Sequence, residues 1–170
     1  MNSYIAVTIG DINGIGIHLL IKEFKNNKIK NFILFINFKI FSKLKIINSN
    51  LINIINNDGK SLNYNKNKLN IYNYNTQNKY TNAFDSIKLA YKFTVNKNFI
   101  GIVTLPINKK EISSVKKDFI DQTTFFSKLE KVNNSNMIFI YKNKYFVPLT
   151  IHIEIKKVAS HFKNKKFIFN

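Results

Sequence analysis

The chain has 170 residues, 45% of them apolar or aromatic, with 27 lysines, no arginine, no cysteine and a formal net charge of +18. That length supports one domain with a substantial core, and the lack of cysteine excludes disulfides and thiolate metal sites. Asn37 and Lys39 break the greasiest run, Asn31 to Phe41, so nothing approaches the roughly 18 apolar residues of a membrane span. No basic segment precedes an apolar core as in a secretory signal, which makes a cytoplasmic location with no membrane partner the expectation.

The charge invites a nucleic-acid reading, because clustered cations release counterions when they neutralise phosphates. Two features weigh against it. Arginine, the side chain favoured for bidentate contacts to phosphate and guanine, is missing altogether. The lysines are also scattered among Asn, Ile, Phe and Tyr, residues that share adenine- and thymine-rich codons. Codon bias explains the charge more simply than a ligand does. Salt-sensitive adhesion to polyanions is expected, and specific nucleic-acid binding is not.

In chain order, Tyr4 to Ile9 reads as a strand, Gly14 to Phe24 as a helix, Phe32 to Ile36 as a second strand and Phe38 to Ile47 as helical. Asn48 to Gln77 is rich in Asn and Lys and reads as loop, with a strand at Leu69 to Tyr74. Ala83, Phe84, Ile87, Ala90 and Tyr91 recur at helical spacing, with Asn82 available as N-cap. Phe99 to Thr104 is a buried strand that Pro106 ends, and Lys110 to Val115 a short helix. A helix opening at Asp121 and running to Lys131, strands at Met137 to Ile140 and Tyr145 to Thr150, and a helix from Ile155 to Phe162 follow. Phe167 to Phe169 resembles the start of another strand. The alternation predicts a layered α/β/α domain over residues 1–170, with ligands at the carboxyl ends of the strands.

Glycine and proline are scarce, so where they fall is informative. Gly10, Gly14 and Gly16 mark the turn between the first strand and helix, while Gly101 and Pro106 bracket a second turn. Glycine lets a ligand or another backbone come close, and a helix N-terminus offers unpaired N–H groups to an anion. The turn is therefore either a phosphate or carboxylate site or an ordinary strand-to-helix connection. It is neither a dinucleotide fingerprint nor a P-loop, because both the Gly-x-Gly-x-x-Gly spacing and the Gly-Lys-Ser/Thr ending are missing.

Four segments taken together, Ile5 to Gly16 (IAVTIGDINGIG), Val103 to Lys109 (VTLPINK), Gln122 to Phe126 (QTTFF) and Val147 to His152 (VPLTIH), resemble the first half of the 4-hydroxythreonine-4-phosphate dehydrogenase family of vitamin B6 biosynthesis. The resemblance implies a fold similar to the first half of isocitrate and isopropylmalate dehydrogenases. It further implies NAD- or NADP-dependent oxidation, with decarboxylation, of 4-phosphooxy-L-threonine by a homodimer with a divalent metal (zinc, magnesium or cobalt). By motif position His152 resembles a metal ligand, Gln122 and Thr123 resemble substrate contacts, and Gly10, Asp11, Asn108 and Lys109 belong to the active-site loops. Several positions depart from the pattern: Gln122 replaces a usual histidine, Ile12 a proline, and Ile17-His18 a Pro-Glu pair. Family members are about twice as long, as two domains require, and their other half supplies further metal ligands and much of the cofactor site.

Each candidate also has a plainer reading. His152 can be a polar residue at a strand end, His18 and His161 surface or helix residues, Thr123 a helix cap, Lys109 a solvated side chain, and Asp11 a partner for turn backbone. Two whole-chain alternatives stand beside the dehydrogenase, whose expected partner is a second copy or a complementary chain: a non-catalytic or degenerate fragment of that lineage, and a Lys-rich polyanion-binding protein.

Overall fold

A computed structural model of the chain describes residues 4–55, 63–76, 81–96, 99–132, 135–150 and 153–163. It divides into two compact units, Met1–Ile120 and Asp121–Asn170.

The first unit is built on a five-stranded sheet. Its strands are β1 (Tyr4–Thr8), β2 (Phe32–Phe35), β3 (Ile52–Ile55), β4 (Leu69–Tyr72) and β5 (Phe99–Thr104), in the order β3-β4-β2-β1-β5, with every pairing parallel. Parallel neighbours need crossovers, and a sheet covered on both faces has strands that are apolar throughout. Accordingly β2 (FILF) is buried at every position. Side chains alternate between two cores. Val7, Ile9, Phe32, Leu34, Leu69 and Ile71 face Ile17, Leu20 and Ile21 of α1 (Ile15–Lys25) and Phe41 of α2 (Phe38–Ser42). Ala6, Ile33, Phe35, Tyr72 and Phe99 face Ala90 and Phe93 of α3 (Asn82–Asn96). The Phe35 ring lies 5.0 Å from Tyr72 and 5.5 Å from Phe93, a cluster whose members each contribute roughly 1.5–3 kcal/mol by burial. The expected α/β/α layering is what this unit shows.

Several elements differ from the sequence reading. The helix expected over Phe38 to Ile47 stops at Ser42, because Lys45 takes a left-handed φ of 51°; Leu44, Ile46 and Ile47 still pack on the core from irregular backbone. Strand β3 lies in the segment read as loop, preceded by a 3-10 turn at Ser49–Leu51. Asn82 is the first residue of α3 and not its cap, since the Asp85 amide donates to the Thr81 carbonyl at 2.8 Å. In β5 the register against β1 skips Ile100, which is 67% exposed. A short helix, α4 (Lys109–Val115), follows β5, and Ile112 is buried beneath it.

The second unit comprises α5 (Gln122–Glu130), an antiparallel ribbon of β6 (Phe139–Tyr141) and β7 (Lys144–Phe146), and α6 (Ile155–Lys163). Asp121 caps α5, its carboxylate accepting from the Thr124 amide at 2.7 Å, and Lys131 ends the helix in the left-handed region at φ 56°. The ribbon turns at Lys142, where φ is 51°. Pro148 stands just beyond β7, which ends four residues short of the predicted Thr150. No described residue of this unit is buried. The strand beginning expected at Phe167 to Phe169, and His152, lie outside the described residues. Among the described residues no helix is long and apolar enough to cross a membrane.

Candidate functional site

The two turns marked by glycine and proline are neighbours. Both leave the carboxyl end of the sheet, from the adjacent strands β1 and β5, and backbone hydrogen bonds join them: Leu105 N–H to the Thr8 carbonyl at 3.3 Å, and Asp11 N–H to the Pro106 carbonyl at 2.8 Å. The glycines make this approach possible. A Cβ on Gly10 would lie 2.6 Å from the Pro106 carbonyl carbon and 2.7 Å from the Leu105 oxygen, and one on Gly16 would lie 2.9 Å from Pro106 Cδ. Neither glycine takes a left-handed φ, so what requires glycine here is backbone contact between two turns. At Gly10 and Gly16 the second turn occupies the place that a side chain would take.

Within the first turn, Asp11 Oδ1 accepts from the Asn13 amide at 2.8 Å and its carbonyl accepts from Gly14 N–H at 3.0 Å. This is an Asx turn that feeds α1. Gly14 takes an extended N-cap conformation with no side-chain cap, and no acidic residue stands in the first helical turn. Ile12, which replaces the proline of the resembling pattern, is buried in the core with Val7 and Ile17.

In the second turn Asn108 is the N-cap of α4, its Oδ1 accepting from the Glu111 amide at 3.5 Å. Lys109 opens that helix with an exposed side chain, and its carbonyl accepts from Ser113 Oγ at 2.7 Å. In the second unit Gln122 and Thr123 are the first two residues of α5. Thr123 is exposed, and Asp121, not Thr123, is the cap. His18 is exposed on α1, in a shallow cleft of about 330 Å³ with Lys22, Lys25 and Ile46.

Sequence reasoning missed a buried polar cluster that braces the turns from beneath α3. Ser86, fully buried, accepts from Ile9 N–H at 2.9 Å and donates to the Phe35 carbonyl at 2.6 Å, bridging β1 and β2 where their own bond has stretched to 3.4 Å. Asn82 Oδ1 accepts from the Asn37 amide at 3.3 Å and from the Tyr74 hydroxyl at 2.8 Å, and Asn37 Nδ2 donates to the Tyr74 carbonyl at 2.6 Å. Burial holds the Tyr74 hydroxyl well above its usual titration range. Thr8 Oγ1 and Asn82 Nδ2 are buried without a hydrogen-bond partner among the described residues. The available signal was Ser86 itself, a polar residue three positions after Ala83 on the face that buries Ile87 and Ala90.

Among the described residues no three His, Asp or Glu side chains gather as a metal centre would require. His152, the ligand that the resemblance implies for this chain, lies outside the described residues.

Residues 28–168 match the family described as Pyridoxal phosphate biosynthetic protein PdxA. The chain is 30% identical over 176 aligned positions to 4-hydroxythreonine-4-phosphate dehydrogenase of Campylobacter fetus subsp. fetus (strain 82-40), an alignment that covers 95% of this chain and 52% of that protein. Among solved structures it superposes on the 4-hydroxythreonine-4-phosphate dehydrogenase of Klebsiella pneumoniae with a TM-score of 0.76 at 18% identity, covering 93% of this chain and 54% of that one. The enzyme of the same name from Burkholderia phymatum gives 0.72 at 17%, covering 92% and 52%. At such identities the structural likeness speaks for the fold alone. The chain spans about half the length of the curated relative it matches.

Proposed function

This chain belongs to the family of the pyridoxal phosphate biosynthetic protein PdxA, and we propose that it serves the dehydrogenase reaction named for its relatives, the NAD- or NADP-dependent oxidation and decarboxylation of 4-phosphooxy-L-threonine. The observation that carries this reading is the docking of the Gly10–Asp11 turn on the Leu105–Pro106 turn at the carboxyl ends of β1 and β5, where open α/β sheets hold their ligands. On this reading the fold continues toward that of isocitrate and isopropylmalate dehydrogenases, and the working form is a cytoplasmic homodimer.

The chain's own residues account for anion recognition rather than for hydride transfer. Lys109 presents an exposed ammonium at the mouth of the second turn, suited to a substrate phosphate or carboxylate as a point charge. Its backbone is fixed by the Asn108 cap and by the Ser113 hydroxyl. Asp11, held by the Asn13 amide, suits the substrate's ammonium group. Gln122 and Thr123, the first two residues of α5, are assigned to the substrate by resemblance alone. His152 is assigned to the metal by resemblance alone, and no step is routed through it.

A second reading, a family member without its own chemistry, is favoured by Gln122 standing where a proton-carrying histidine is usual. Formation of reduced nicotinamide by the purified, folded chain with 4-phosphooxy-L-threonine, oxidised cofactor and a divalent metal separates the two. Turnover that disappears in His152→Ala supports the first reading. A folded sample without turnover supports the second.

A further inference from the structure

Helix α1 carries basic side chains along one wall of a cleft. His18, Lys22 and Lys25 stand at i, i+4 and i+7, a spacing that sets them on one side of the helix, and all three are exposed. With Ile21, Asn26 and Ile46 they line a cleft of about 330 Å³, at the lower end of the ~300–1,000 Å³ usual for small-molecule sites. Among the described residues no carboxylate belongs to that lining. Glu23, the one acidic residue of α1, is drawn to Lys28 at 3.4 Å. The Lys25 ammonium is held in place, since its Nζ donates to the Ile46 carbonyl at 2.8 Å, and an ammonium has two further N–H donors to offer. Lys22 and Lys25 lie in the last turn, where cations complement the helix dipole. That accounts for their charge but not for the cleft that Ile46 closes with them.

From this arrangement we propose that the α1 cleft binds a small organic anion, a phosphate monoester carried on an apolar body. The phosphate, close to doubly charged at neutral pH, meets two ammonium groups and an imidazole N–H. The body lies on buried Ile21 and half-buried Ile46 and leaves water. Inorganic phosphate lacks the body, and a neutral aromatic lacks the charge. A nucleic acid strand would want aromatic side chains on which to stack its bases, and the lining has none. The cleft is separate from the docked turns. Helix α1 leaves them at Ile15, and Lys25 stands ten residues on, about 15 Å along the helix axis. His18 also stands where the resembling pattern has a glutamate, so this charge belongs to the present chain. The inference does not rest on the proposed dehydrogenase reaction.

The test titrates the whole, isotopically labelled chain with phenyl phosphate, inorganic phosphate and phenol, following backbone amide resonances. Salt of about 0.15 M screens exposed charges beyond roughly 8 Å and suppresses diffuse adhesion. The expected result is saturable shifts with phenyl phosphate at His18, Lys22, Lys25, Asn26 and Ile46, with an affinity at least fivefold above that for inorganic phosphate and at least tenfold above that for phenol. Lys22→Ala should weaken phenyl phosphate at least threefold and His18→Glu at least tenfold, while Lys110→Ala, on α4, leaves it unchanged. All three positions are exposed, so these variants should keep the fold, as circular dichroism can verify. Equal affinity for phenyl and inorganic phosphate overturns the inference, as do shifts spread over lysines across the surface or binding indifferent to His18→Glu. Saturation centred on Asp11, Asn108 and Lys109 also overturns it, because the anion then occupies the docked turns.

Discussion

Replacing Gly10 by alanine probes the junction on which the candidate site depends. The added Cβ would sit 2.6 Å from the Pro106 carbonyl carbon and 2.7 Å from the Leu105 oxygen. Both are backbone atoms and cannot swing aside, so the two turns must separate. Overpacking of this kind costs about 1–3 kcal/mol. Separation would also stretch the 2.8 Å bond from the Asp11 amide to the Pro106 carbonyl, a further loss of about 0.5–1.5 kcal/mol. The expected total, roughly 2–4 kcal/mol, corresponds to a fall in melting temperature on the order of 10 °C for a unit of this size. Gly101→Ala is the internal control, because a Cβ there meets nothing within 4 Å, and reduced chain entropy should leave it neutral or stabilised by about 0.4–1 kcal/mol. Thermal and urea unfolding of the two variants beside the parent give the comparison. If Gly10→Ala is as stable as Gly101→Ala, the turns are not packed as described.

Three other outcomes follow from the same structure. Ser86→Ala removes the hydroxyl that bridges Ile9 N–H and the Phe35 carbonyl, and should lower the unfolding free energy by about 1–3 kcal/mol; an unchanged urea midpoint would contradict the bridge. Burial raises the Tyr74 hydroxyl above the ordinary value of 10.0, so its contribution to stability is fully present below about pH 10 and is lost as pH climbs toward the folded-state value. Unfolding free energies measured from about pH 8 to 11 should fall more steeply in the parent than in Tyr74→Phe, and equal slopes would refute the assignment. Asp121→Ala should cost about 1 kcal/mol by freeing the Thr124 amide it caps, seen as faster hydrogen exchange across α5, whereas Thr123→Ala should leave that exchange unchanged.

Much of the first unit was legible because apolar periodicity is strong there. β5 was read at its observed limits, and β1, β2 and α1 to within a residue at each end. Strand β3 escaped because Asn53 interrupts it and Asn-rich sequence flanks it; the structure absorbs such residues by pairing them, as when Asn53 Nδ2 donates to the buried Asn70 Oδ1 at 2.8 Å. The helix expected over Phe38 to Ile47 was over-extended because Leu44, Ile46 and Ile47 mimic a helical face while packing from a loop. The two turns stood out because glycine and proline are rare in this composition. Which property of glycine mattered could not be read, since the contact at Gly10 comes from Pro106, remote in sequence and adjacent only after β1 and β5 pair. The bonding roles of Ser86 and Asn82 could not be read for the same reason: most of their partners, Ile9, Phe35 and Asn37, are remote in sequence.

Titrating the isotopically labelled chain with 4-phosphooxy-L-threonine, while following its backbone amide resonances, tests most directly whether the docked turns form the substrate site. The account predicts saturable shifts concentrated at Asp11, Asn108 and Lys109, weakened by Lys109→Ala. Small shifts spread over the surface lysines and abolished by moderate salt, with the two turns unmoved, would contradict it.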